Sequence, residues 1–227
     1  KDITTLVQTT GNGTYTLSNL DISPFEALHY SRKTNFAGWA ILIVYENPSL
    51  TLNQLNIYDG LQGVPDALQI NLTNLYVLNN ANAKAGFIAW EGDSQLATEN
   101  FTVNSTVISN PFNPPNNVFN STNSVTGSNQ LYNMDLDIYE IDSYISIGDT
   151  SASISLTSFQ DFIMINTVVT KLNSQLPDAT IVLENPVSTC NSREVTVDFT
   201  VSNLNSTEVL QANTPITFYA GTQAITT

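Results

Sequence analysis

The stretch Phe36 to Gly60, FAGWAILIVYENPSLTLNQLNIYDG, sets the fold class, because it couples the most apolar run of the chain to its densest turn signals. In Trp39-Ala40-Ile41-Leu42-Ile43-Val44-Tyr45, alternate side chains point to opposite faces. Both sets, Trp39, Ile41, Ile43, Tyr45 and Ala40, Leu42, Val44, are apolar. Such a run predicts a central strand covered on both faces. A helix is the competing reading. The run is short, rich in β-branched and aromatic residues, preceded by Gly38 and stopped at Asn47-Pro48, all of which favour the strand. Asn47-Pro48-Ser49 then turns the chain into a second run, Leu50 to Tyr58, which Asp59-Gly60 is expected to end. Its apolar set changes phase between Leu52 and Leu55, the mark of a bulge.

Outward from that pair, strand signals recur. Ile3 to Val7 and Thr14 to Leu20 flank Gly11-Asn12-Gly13 and read as a hairpin. Ser23-Pro24 opens a short helix, Pro24 to Tyr30. Leu68 to Leu78 reads as one or two strands bent at Asn74, and Ala85 to Glu91 as a buried strand before a turn at Glu91-Gly92-Asp93. Asn104 to Gln130, rich in Asn, Ser, Thr and Pro, reads as a long surface excursion with room for one short strand; Pro111, Pro114 and Pro115 each lack a ladder donor. Tyr132 to Asp142 alternates most clearly: Tyr132, Met134, Leu136 and Ile138 are expected inward, and Asn133, Asp135, Asp137 and Tyr139 outward. Ile154 to Leu156 and Phe159 to Val169 follow as strands, although Phe162 to Ile165 could pass for helix.

Thr180 to Leu183 closes the first unit, with a boundary at Glu184-Asn185-Pro186. Val195 to Ser202 and Ile216 to Ala220 alternate again. So few strands cannot enclose a core, so the tail is either the opening of a second sandwich or an extension packed on the first. The expected organisation is therefore an all-β, antiparallel, jelly-roll-like sandwich over residues 1–184, followed at 185–227 by the N-terminal part of a second, truncated domain.

Composition narrows the function. The 227 residues are 41% hydrophobic, enough for a sizeable core, and six Lys and Arg against twenty Asp and Glu give a net charge of -14. That charge repels nucleic acid and anionic lipid headgroups. Charged residues make up 11%, so neutral amides and hydroxyls must solvate the surface, as suits an extracellular β protein. Cys190, the sole cysteine, has no disulfide partner in the chain and reads as a small buried hydrophobe. No apolar stretch approaches the ~18 residues of a membrane span. Lys1 opens the chain without a signal-peptide pattern, as in a piece cut from something longer.

Candidate chemistry is sparse. His29, the one histidine, stands beside Arg32 and Lys33 with no Gly-x-Ser-x-Gly elbow, and reads as a surface or cap residue. Asp135, Asp137, Glu140 and Asp142 are close enough in sequence to hold calcium, against the plainer reading of a solvated strand face. Asp135 and Asp137 could also form a glycosidase acid and base, though nothing in the sequence indicates a cleft. Trp39, Trp90, Tyr45, Tyr58 and Tyr139 could stack on sugars. The two tryptophans read as core and Tyr139 as the exposed candidate. Asn12, Asn71, Asn100, Asn104, Asn120 and Asn205 each begin an Asn-x-Ser/Thr sequon.

Taken together, GWAILIVYENPSLTLNQLNIYDGLQGV (Gly38 to Val64), GFIAWEGD (Gly86 to Asp93), LYNMDLDIYEID (Leu131 to Asp142) and IGDTSASISLTSFQDFIMIN (Ile147 to Asn166) resemble the giant gliding-motility adhesins of the Bacteroidetes. These are large repetitive surface proteins exported by the type 9 secretion system. CNSREVTVDFTVSNLNSTEVLQANTPITFYAG (Cys190 to Gly221) resembles the first strands of the Ig-like adhesin-related modules that follow such domains. The resemblance implies a non-enzymatic, extracellular segment at the bacterial cell surface that grips or spaces. Its partners would be neighbouring domains of the same chain and a substratum or surface polysaccharide. It carries no catalytic motif to transfer.

Overall fold

The computed structural model describes residues 1–32, 37–51, 53–64, 67–174, 179–188, 195–204, 206 and 209–226. The chain divides into two compact units, Lys1–Pro48 and Ser49–Thr227.

The first unit departs from expectation. Of the residues Ile3 to Val7, Thr4 to Val7 belong to helix α1 (Thr4–Thr10) and Ile3 precedes it as the N-cap, so no hairpin strand forms there. Asp2 Oδ1 accepts the Thr4 N–H at 2.8 Å, and Gly11, at φ 62°, stops the helix while its N–H reaches Val7 O at 2.8 Å. The Gly-Asn-Gly signal thus ends a helix, a role that glycine's access to positive φ serves equally well. Thr14 to Leu20 forms no strand. The expected short helix is present as α2 (Glu26–Arg32), two residues later than predicted. Trp39 to Tyr45, expected as a covered central strand, joins no ladder among the described residues, and Trp39 and Tyr45 are exposed. Side-chain pattern supplies a strand's faces; a neighbour must supply its hydrogen bonds.

The second unit is built on two four-stranded antiparallel sheets. One has the order β1 (Gln54–Val64), β8 (Ile163–Ser174), β3 (Val77–Trp90), β6 (Met134–Glu140). The other runs β2 (Ala67–Leu72), β7 (Ala152–Ser158), β4 (Glu99–Val103), β5 (Thr106–Ile108). Their inner faces meet in one core. Phe87 on β3 packs edge-on against Phe101 on β4 and Phe119, with ring centroids 5.6 and 5.3 Å apart. Tyr139 on β6 completes the cluster, 5.0 Å from Phe101. Strict alternation in β7 and most of β8, buried then half-buried, is what a two-layer sandwich requires of each strand. Phe162 to Ile165 accordingly leads into strand, not helix.

Several boundaries shift for tertiary reasons. Leu52 lies outside the described residues, and the register break in β1 falls between Asp59 and Gln62. Asp59-Gly60 does not end the strand, because Gln62 to Val64 resumes pairing with Ile165 to Ile163 on β8. Asn74, at φ 57°, makes the expected bend between β2 and β3. The 104–130 excursion contains β5 as expected, yet it is not a surface loop throughout: Asn113, Val118, Phe119 and Thr122 are buried.

The phase of β6 is inverted from expectation. Asp135, Asp137 and Tyr139 are buried, while Tyr132 and Ile138 are exposed. Hydropathy put the apolar set inside. The excursion brings backbone donors to the acidic face and so makes its burial tolerable. Beyond the core, β9 (Ala179–Ser188) pairs with β10 (Val195–Asn203), and β11 (Phe218–Ala220) with β12 (Gln223–Thr226). The expected boundary at 184/185 falls within β9. Cys190 and Arg193 lie outside the described residues.

Candidate functional site

Two features of the second unit concentrate polar chemistry. The first is interior. Three buried carboxyls, Glu99, Asp135 and Asp137, each accept a backbone N–H from the excursion that covers them. Phe119 N donates to Glu99 Oε2 at 3.2 Å, Thr122 N to Asp135 Oδ1 at 3.0 Å, and Ser124 N to Asp137 Oδ1 at 3.0 Å. The 119–124 segment is thereby stapled across β4 and β6. Ser158 Oγ adds a bond to Glu99 Oε1 at 3.4 Å. The second oxygens of Asp135 and Asp137, the Tyr139 hydroxyl and the Asn113 Nδ2 are buried without a hydrogen-bond partner among the described residues. Asn113 still lies near enough to Asp137 to favour its charged form, though at no normal hydrogen-bond geometry.

Burial governs the ionisation of this cluster. Desolvation pushes Glu99 and Asp135 each up to about 8, with neighbouring carboxylates adding to the effect and the backbone donors opposing it. Asp137 is raised for the same first reason. Tyr139 is raised by burial and by the charges of Asp137 and Asp135. Nearer the surface, partial burial and Asp161 push Glu91 up to about 7. The acids thus run from Glu91 and Asp161 at the end of β3 inward to Glu99, Asp135 and Asp137. At neutral pH Glu99 and Asp135 are held largely as neutral carboxylic acids, well suited to a crowded interior.

The predicted calcium residues are not gathered in one place. Asp135 and Asp137 face the core, Glu140 is exposed and paired with Lys84 Nζ at 2.6 Å, and Asp142 opens a 3-10 turn (Asp142–Tyr144), where its Oδ1 accepts the Ser143 N–H. Among the described residues no group of three or more His, Cys, Asp or Glu is arranged to hold a metal ion. His29 lies in α2 with its ring edge-on to Tyr30. Glu99 and Asp161 carry no expectation from the sequence, and Glu91 is expected only to end a strand and open a turn. Glu99 offered a signal nonetheless, as a carboxylate standing in a strand, before Phe101 and Val103 on the same face.

The second feature is an open groove of about 380 Å³ where β1 and β2, each at the edge of its sheet, lie side by side over β8. Tyr58, Asp59 and Gln62 line it from β1, Gln69 and Asn71 from β2, and Asn166 from β8. The bulge in β1 shapes it. Asn166 Nδ2 donates to Gly60 O at 3.2 Å, and Thr167 Oγ1 to Asp59 Oδ1 at 3.4 Å, fixing the displaced backbone. Of the aromatic residues read as sugar platforms, Tyr139 is lost to the core, whereas Tyr58 is 40% exposed in this groove. Trp90 is half-buried in β3.

No family model matches the chain, and no curated protein or solved structure proves similar to it.

Proposed function

We propose that this chain is a non-enzymatic segment of a large secreted bacterial cell-surface adhesin of the gliding-motility type. In that reading, the two four-stranded sheets of the second unit form a jelly-roll-like adhesive domain, and the paired strands from β9 onward open an Ig-like module. Neighbouring domains of the same long chain and a surface polysaccharide or substratum are its partners, and export through the type 9 secretion system places it on the cell surface. One observation supports it most. Asp135 and Asp137, the pair an acid–base mechanism would use, are stapled under the 119–124 segment, while the solvent-facing groove offers amides and a tyrosine ring. Such a surface suits recognition rather than bond cleavage.

An enzymatic reading has its own observation, the Glu91 and Asp161 pair, with Glu91 raised to about 7 as a general acid would need to be. The 227-residue chain, incubated on polysaccharide-coated and bare surfaces, separates the readings. Retention without product release is expected. Release of oligosaccharide that Glu91→Gln abolishes would replace adhesion by hydrolysis, and neither retention nor release would leave a spacer domain.

A further inference from the structure

We propose that the groove between β1 and β2 binds a short neutral oligosaccharide, with Tyr58 as the stacking platform. This deepens the adhesive reading above by naming the ligand class and its place in the fold.

The lining argues for that class. A pyranose presents hydroxyls that each donate and accept, together with a patch of C–H groups on one face. Gln69 and Asn71 supply carboxamides, each able to do both with one planar group, while Gln62 Nε2 and Asn166 Nδ2 already donate to Gly63 O and Gly60 O and keep one N–H each for a ligand. Tyr58 supplies a flat apolar face with a polar tip. Gln69 and Asn71 are alternate, exposed residues of β2, and the buried Ile70 between them, with Ile165 and Val168, adds an apolar part to the lining. The groove's size lies within the range of small-molecule sites, and its open shape suits a chain passing through rather than an enclosed ligand.

Charge excludes the anionic members of the class. Asp59 lies in the groove, no Lys or Arg among the described residues lines it, and the whole chain carries -14. The bulge argues against the other plausible occupant, an extended peptide added as a strand. The displaced register between Asp59 and Gln62 interrupts the row of edge groups on β1 that a peptide ladder would need. That same bulge exposes Gly60 and Leu61, widening the floor beside Tyr58. Fixed by Asn166 and Thr167, the groove is formed before any ligand arrives, which limits the ordering cost of binding.

The test is amide NMR titration of the 227-residue chain with cello-, xylo- and manno-oligosaccharides, with an oligogalacturonate and a Thr-Val repeat hexapeptide as comparators. At least one neutral oligosaccharide should shift resonances of residues 58–62, 69–71 and 166. Tyr58→Ala should weaken that binding about tenfold and Tyr58→Phe should preserve most of it, as stacking requires. Unchanged core resonances would establish that both variants fold. Shifts from the oligogalacturonate or the hexapeptide alone, no shifts with any ligand, or equal affinity in Tyr58→Ala would each overturn the proposal. Surface retention of the chain that survives Tyr58→Ala would overturn the groove while leaving the adhesive reading in place; loss of retention in the wild-type chain would remove the latter.

Discussion

Thr122 donates its backbone N–H to Asp135 Oδ1 at 3.0 Å, joining a loop that the sequence marks as surface to a strand face that it marks as solvated. Both turn inward together. The bond satisfies a buried donor and a buried acceptor at once, and it repeats two residues on in both segments, from Ser124 to Asp137.

The ionisation of these acids sets a pH dependence. Unfolded, Glu99 and Asp135 titrate near 4.5 and 3.8; folded, both do so at about 8. Because the folded state holds these protons more tightly, their contribution to stability is fully present below the unfolded values. It declines as pH rises and is lost once pH passes about 8. Denaturant midpoints measured from pH 4 to pH 9 should therefore fall across that window, and Asp135→Asn should flatten the decline. A wild-type midpoint that rises from pH 5 to pH 8 would contradict this assignment.

Phe119 belongs to the covering segment but is fully buried against Phe87. Phe119→Ala should cost about 3–5 kcal/mol, the value of a core aromatic rather than of a loop residue. Equilibrium urea unfolding reads it directly, and a loss under about 1 kcal/mol would place the segment outside the core.

Gly92 allows the strand end to approach the acids. A Cβ there would run into Asp135 Oδ2 and come within 2.7 Å of Phe119 O, a backbone atom with little freedom to yield. Gly92→Ala should destabilise by about 1–3 kcal/mol. Glu140→Gln, which removes the exposed partner of Lys84, should change stability by less than about 1 kcal/mol. The contrast between the two substitutions separates interior from surface carboxylates.

Calcium remains testable by its difference from magnesium. With Asp135 and Asp137 covered and Glu140 paired to Lys84, equal millimolar concentrations of the two ions should raise Tm equally, through screening of the -14 charge. A larger rise with calcium, abolished by Asp135→Asn with Asp137→Asn, would establish the four-residue site instead.

The sequence by itself determined the class of the second unit: alternation in Met134 to Glu140 and Ala152 to Ser158, the bend at Asn74, and the short β5 within a Pro-rich excursion are local properties of side-chain order. Tertiary structure decided the rest. Period-two alternation marks two faces of β6 but cannot say which is inner, since that depends on what another segment offers; here two backbone N–H groups, from Thr122 and Ser124, meet Asp135 and Asp137 on the acidic face that is buried. Trp39 to Tyr45 has the side chains of a central strand, yet a strand exists only where a neighbouring backbone meets its hydrogen-bonding groups. The groove, likewise, arises from β1, β2 and β8 converging, with Asn166 brought to Gly60 across more than a hundred residues of chain.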